Sequence, residues 1–421
     1  MTAIVGILNR RGAVVAADSA VTVNGRNGNK TYNTATKIFP LSNQHPVGVM
    51  IFSSASFMGT PWDIIFKLYL ARKGDQPFNS LKECADDFLL FLKDEGFFAG
   101  NEIQKEYFCS EISSFYYSIK EVVASKMEGL VDEDENSTAE QLFARYKAII
   151  SEELRRNVEE FKEHGMNPEF TDYTLSVMRS YAKENLDDWE ELRNEEQLPE
   201  GMRDEWENGF YEYLKSTSYI NGTGIVFVGY GKNDIYPALL SIYVSGAFDR
   251  RLRYYYEEND ACIINPERSA FIIPFAQEDV MQNLMRGIHP AFRQMISATV
   301  RQSTEKAKMK LAERLREEGV SEDIIQRMID ADLEDISNDF DEQVEAYSQS
   351  EFVSGIVDAV DSFNLEDMAS MAESLIEVTN LQRHISSSEE TVGGPVDVAV
   401  ITRTDGFMWV KHKQWPPKEN I

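Results

Sequence analysis

The chain has 421 residues, enough for two or three ordinary domains or for one domain carrying large insertions, with a sizeable core in either case. At 43% hydrophobic, 11% aromatic and 27% charged it has the composition of a water-soluble globular protein, and no apolar run approaches the roughly 18 residues that span a bilayer. The 42 Lys and Arg stand against 71 Asp and Glu, a net charge of -29, which disfavours a non-specific grip on nucleic-acid phosphates or on an anionic membrane. Cys84, Cys109 and Cys262 are far apart without a CxxC spacing, so neither a disulfide framework nor a zinc motif is expected, and a reducing cytoplasm fits. The N-terminus lacks the basic stretch, apolar core and cleavage site of a secretory signal.

A strand is expected at once. Residues 2–8 are β-branched and apolar, 9–12 are turn chemistry, and 13–17 read as a second, buried strand closing a hairpin. The polar loop 24–29 (NGRNGN) between 21–23 and 30–32 predicts another reversal, followed by strands over 37–41 and 47–52. Residues 53–56 (SSAS) then cap a helix expected from about Thr60 through Trp62, Ile65, Phe66 and Leu68. From about 72 to 218 the spacing of Phe88, Leu89, Phe91 and Leu92, and later of Leu142, Phe143, Tyr146, Ile149 and Ile150, is helical, with Ser137-Thr138-Ala139-Glu140 as a capping box; this predicts a large helical insertion. Its acidic stretch 184–207 reads as a solvated helical face.

Strand signals return at 223–229 and 238–245, helical periodicity from about 279, and a second, highly charged insertion is expected over about 301–370. A last hairpin, 395–402 with 407–412, is marked by the Asp405-Gly406 pair. His45, His164, His289, His384 and His412 show no metal-binding spacing and read as surface or core residues. Gly229-Tyr230-Gly231 does not complete a dinucleotide fingerprint, and no Walker motif occurs, so no cofactor is expected and any ATP-driven step belongs to another chain.

Chemistry is expected at the second residue. Removal of Met1 leaves Thr2 with a hydroxyl nucleophile and a free α-amine, whose unperturbed pKa of about 7.7 to 8.0 suits it as general base. A neighbouring cation holds that amine in its basic form, and a carboxylate paired with the cation fixes its position. Lys37 and Asp18 are available for those roles.

Thr2-Ala3-Ile4-Val5, Ala16-Ala17-Asp18-Ser19 and Lys37-Ile38-Phe39-Pro40-Leu41 resemble, in order and spacing, the opening of proteasome β-type subunits and their bacterial relatives, the threonine-type N-terminal nucleophile hydrolases. Residues 226–229 with 239–246, and Val392-Gly393-Gly394 followed by 396–401, resemble later parts of that family. The resemblance implies an α+β fold, a four-layer αββα sandwich forming one domain, its core at 2–70, 220–300 and 371–412 and two helical insertions between. It implies Thr2 as nucleophile, Asp18 as its support, Lys37 as its tuning cation and Ser53 at the oxyanion position, where the family usually has glycine. Val21, Thr22, Ala35, Phe39, Ile51 and Ala55 are placed near the pocket for the side chain before the cleaved bond, favouring apolar residues there.

Peptide or protein substrates, a homo-oligomer that can be a ring, and a separate ATPase partner also follow from the family, with no nucleic-acid or membrane partner. The non-catalytic α-type relatives carry a helix before their first strand, and here the strand opens directly. Two departures stand out: Pro274-Phe275-Ala276 replaces a Gly-Ser-Gly-like turn, and Glu389-Glu390-Thr391-Val392 replaces Asp-x-x-Ser. Two other readings therefore stay open, a scaffold that keeps the sandwich but has lost catalysis, and an amidase for a small amide.

Overall fold

The computed structural model describes residues 2–25, 28–42, 45–73, 77–94, 100–131, 138–186, 199, 201–217, 222–329, 334–385 and 393–413. The first elements are β1 (Ala3–Asn9) and β2 (Gly12–Ala17), both buried throughout and paired as a hairpin with Ile4 opposite Ala17. Asn9 fixes the turn: its side chain accepts from the Arg11 N–H at 2.8 Å and donates to the Val360 carbonyl at 2.8 Å. A small hairpin follows, β3 (Val21–Gly25) with β4 (Gly28–Tyr32), then β5 (Ile38–Pro40) and β6 (Val47–Phe52), and the short pair β7 (Ser56–Phe57) and β8 (Thr60–Pro61). Thr60 is thus extended, and the first helix begins at Trp62.

The helices are α1 (Trp62–Lys73), α2 (Leu81–Asp94), α3 (Asn101–Val131), α4 (Ala139–Glu163), α5 (Leu175–Asn185) and α6 (Arg203–Lys215). Next come β9 (Thr223–Gly229), β10 (Ala238–Phe248), β11 (Arg251–Ile263), β12 (Ala270–Ala276) and helices α7 (Glu278–Arg286), α8 (Pro290–Glu317), α9 (Glu322–Ile329), α10 (Glu334–Ser348), α11 (Ser354–Ser362) and α12 (Leu365–Ile385). The last elements are β13 (Asp397–Thr402) and β14 (Gly406–Lys411).

The fold is α+β with antiparallel sheets. One sheet runs β12-β1-β2-β13-β14 and the other β11-β10-β9-β6-β5. Side chains alternate along β1: Ile4 and Leu8 join Met50, Phe52, Val226 and Leu239 of the other sheet in one cluster, whereas Ala3, Val5 and Ile7 face Met368, Ala372 and Ile376 of α12. With both faces covered, β1 and β2 carry continuous apolar runs rather than a polar alternation. On the far side of the second sheet, Trp62, Phe66 and Tyr69 of α1 and Phe88 and Phe91 of α2 pack with Val49 and Phe227. Leu81–Asp94, inside the stretch expected as the first insertion, therefore rests on the sheet through its aromatic face. Helices α3 to α6 form their own core around Phe115, Phe161, Trp206 and Phe210, joined to the sheet by Phe248.

Three local expectations need correction. The capping box of α4 is built by Thr138 and Gln141, one residue later than the sequence suggested: the Gln141 N–H donates to Thr138 Oγ1 at 3.3 Å, and the Thr138 N–H donates to Gln141 Oε1 at 2.9 Å. Arg251–Ile263 is a strand that periodicity did not mark, because β11 is an edge strand whose charged residues remain partly exposed. Ala270–Ala276 is also a strand and not a turn, with Pro274 in register opposite Val5; β12 is an edge strand, where the missing proline N–H costs no ladder bond.

Candidate active site

Asp18 ends β2 at the point where the chain leaves the first sheet. Its side chain is fully buried, and a buried carboxylate is tolerated only when its oxygens are supplied with donors. Oδ1 accepts from Lys37 Nζ at 2.6 Å and from the Ala3 N–H at 2.9 Å, and Oδ2 accepts from the N–H groups of Ala20 at 3.1 Å and Gly393 at 3.2 Å. The Asp18 N–H donates in turn to the Ala3 carbonyl at 3.0 Å. Residue 3 is thereby clamped on both of its backbone groups, and Thr2 is the next residue out, 6% exposed.

Lys37 lies just before β5, its carbonyl accepting from the Ile51 N–H at 2.9 Å, and is 3% exposed. Burial pushes its ammonium below the ordinary lysine value; the Asp18 charge and hydrogen bond oppose that, and the nearby Lys413 charge adds to it. The direction is downward because removal from water outweighs the charges of Asp18 and, more weakly, Asp397.

Thr2 and Lys37 line one cavity of about 520 Å³, whose wall includes Val21, Ala35, Phe39, Ile51, Ser53 and Ala55. The sequence-derived residues therefore converge, except that Asp18 stands behind Lys37 and the Thr22 side chain lies outside the described residues. Ser53, after β6, has φ of 71°, a left-handed conformation that costs a non-glycine residue on the order of 1 kcal/mol. Ala276 also has positive φ, 68°, and sits opposite Ala3 without a hydroxyl to offer the first residues. Glu389, Glu390 and Thr391 lie outside the described residues. Gly394 has φ of 77°, and a Cβ there would come within 2.8 Å of the Asn33 Cβ; this close approach seats the Gly393 N–H against Asp18.

The same region holds a polar group that sequence reasoning missed. Asp397, 1% exposed and in register with Ala17, accepts from Lys413 Nζ at 2.5 Å, the Lys413 N–H at 3.0 Å and His412 Nδ1 at 3.1 Å. Lys413 Nζ also donates to Ser19 Oγ at 2.6 Å, and Ser19 Oγ donates to the Pro395 carbonyl at 2.6 Å. His412 stacks on Trp409 with ring centroids 3.9 Å apart, and both line the cavity of Thr2. A lone aspartate in the apolar run PVDVAVIT was the available signal, since a buried carboxylate demands partners.

Among the described residues no group of three or more His, Cys, Asp or Glu is arranged to hold a metal ion, and no helix is long and apolar enough to cross a membrane. No family model and no curated protein matches the chain. Among solved structures it is similar to the Anbu (Gly-1) mutant from Hyphomicrobium sp. strain MC1, at 10% identity and a TM-score of 0.27, over 98% of this chain and 86% of that one. A likeness this remote carries no argument about the site.

Proposed function

We propose that the chain is a threonine-type N-terminal nucleophile hydrolase of amide bonds in peptides or unfolded protein, built on the four-layer αββα sandwich of that class. The observation that carries this reading is the Lys37–Asp18 pair, whose carboxylate grips the Ala3 N–H while its lysine shares a cavity with Thr2.

The reading requires that Met1 be removed. The Thr2 α-amine then takes the Oγ proton as Oγ attacks the carbonyl, and the Lys37 charge lowers the amine's proton affinity so that it starts out neutral. Backbone N–H groups around Ser53 stabilise the oxyanion, the protonated amine gives its proton to the departing nitrogen, and water, activated by the same amine, releases the acyl group. Phe39, Ile51, Val21 and Ala55 give the cavity an apolar wall, so apolar side chains are the proposed occupants before the cleaved bond. A cytoplasmic homo-oligomer served by a separate ATPase completes the reading by family analogy.

Intact mass and labelling with a hydroxyl-directed electrophile test it. The expected result is a chain starting at Thr2 that is labelled in the wild type and not in Thr2→Ala; a retained Met1 and an unlabelled Thr2 would overturn it. That opposite result is the one predicted by a catalytically silent scaffold, the second reading, which the hydroxyl-free Ala276 beside Ala3 favours.

A further inference from the structure

His412 is placed as a side chain that works on something outside its own fold. Its Nδ1 meets a carboxylate, which only accepts, so in the neutral ring Nδ1 carries the proton and Nε2 keeps its lone pair. The same carboxylate also pairs with Lys413 at 2.5 Å. Stacking on Trp409 fixes the ring plane, the side chain is 28% exposed, and the residue lines the cavity. A histidine oriented by a buried carboxylate and held in plane at a cavity wall has its other ring nitrogen to offer a ligand.

Distance then selects the ligand. The His412 ring bonds Asp397, which lies opposite Ala17, and Ala17 lies opposite Ile4, so the ring stands beside β13, two strands away from β1. At about 4.8 Å per strand that is about 10 Å, a gap of about three residues of extended peptide. Such a span suits an extended peptide better than a small amide held at Thr2.

We propose that His412, positioned by Asp397 and Lys413, is a substrate-binding residue that accepts a hydrogen bond through Nε2 from a backbone N–H of an extended peptide whose scissile carbonyl lies at Thr2. This deepens the hydrolase reading and rests on it: the substrate class becomes peptides that extend about three residues or more from the cleaved bond, not small amides.

The test compares two reagents carrying the same hydroxyl-directed electrophile, one on a single apolar residue and one on a tetrapeptide ending in that residue, with the full chain and Thr2 labelling rate as readout. The wild type is expected to react faster with the tetrapeptide. In His412→Ala the tetrapeptide-to-single-residue rate ratio is expected to fall about tenfold, the order of one net hydrogen bond, and His412→Gln, which keeps an acceptor near the Nε2 position, to recover part of it. An unchanged ratio overturns the proposal, including the case where both rates fall together, which marks a structural role. If the wild type is not labelled at Thr2 by either reagent, the nucleophile reading falls and takes this proposal with it; labelling with an unchanged ratio removes His412 alone.

Discussion

Among the described residues, two lysine- or arginine-carboxylate pairs of equal length are buried in different surroundings. Lys37 Nζ and Asp18 Oδ1 are 2.6 Å apart, as are Arg253 Nη1 and Glu111 Oε2. Arg253 is sealed: it is fully buried, reaches Tyr107 Oη at 3.1 Å and the Tyr213 carbonyl at 3.3 Å, and lies 5.2 Å from the Tyr213 ring centroid. Its two Nη groups join α3 and α6 to β11. Lys37 is nearly as buried but borders a cavity that Thr2 also lines, and its partner Asp18 holds the N–H of Ala3, the residue after Thr2. The contrast separates an ion pair that only joins elements from one that borders a cavity, where the proposed site lies.

Substitutions at the two pairs should act on different properties. The largest effect is expected from Thr2→Ala, which should lower peptide turnover by about 10³-fold or more while leaving the melting temperature unchanged. At the sealed pair the loss should fall on stability instead: Arg253→Met leaves Glu111 buried without its cation, with the Tyr213 hydroxyl still donating to it at 2.8 Å, and should cost about 3–5 kcal/mol in denaturant unfolding. Lys37→Met should do the reverse, lowering turnover by about 10²–10³-fold, with a smaller stability loss than Arg253→Met because three backbone N–H groups still serve Asp18. If Lys37→Met unfolds the chain and Arg253→Met silences it, the comparison is the wrong way round.

Asp18→Asn tests the electrostatics. The carboxylate raises the Lys37 pKa against the lowering effect of burial, so its removal sends that pKa further down. The alkaline limb of the pH–rate profile, where Lys37 loses its proton, should therefore move to lower pH, and an unmoved limb would assign it to another group. The smallest effect is expected from Ser53→Gly, which relieves the left-handed strain but frees the unfolded chain; thermal unfolding should register a change of at most about 1 kcal/mol.

Much of the fold was legible because its signals are local. The hairpin of 2–8 and 13–17, the NGRNGN reversal, the strand at 47–52 and the Asp405-Gly406 turn are all written in side-chain type and spacing. Edge strands were less legible, since β11 mixes tyrosines with charges and β12 contains a proline, and both make sense only beside their neighbours. At the site, Thr2, Asp18 and Lys37 could be picked out along one short stretch. Asp397, His412 and Lys413 could not, for a lone aspartate, a lone histidine and one lysine among many acquire meaning only when β13 pairs with β2.

Side-chain type and spacing alone set most of the strands and helices, the strongly acidic balance, and the order of Thr2, Asp18 and Lys37 along the chain. Only the tertiary structure decided that Gly393, 375 residues from Asp18, would donate to its carboxylate, and that His412 would border the cavity of Thr2. The reason is physical: propensity and periodicity act over a few residues, whereas the neighbours of a buried charge are chosen by how whole strands pair and pack.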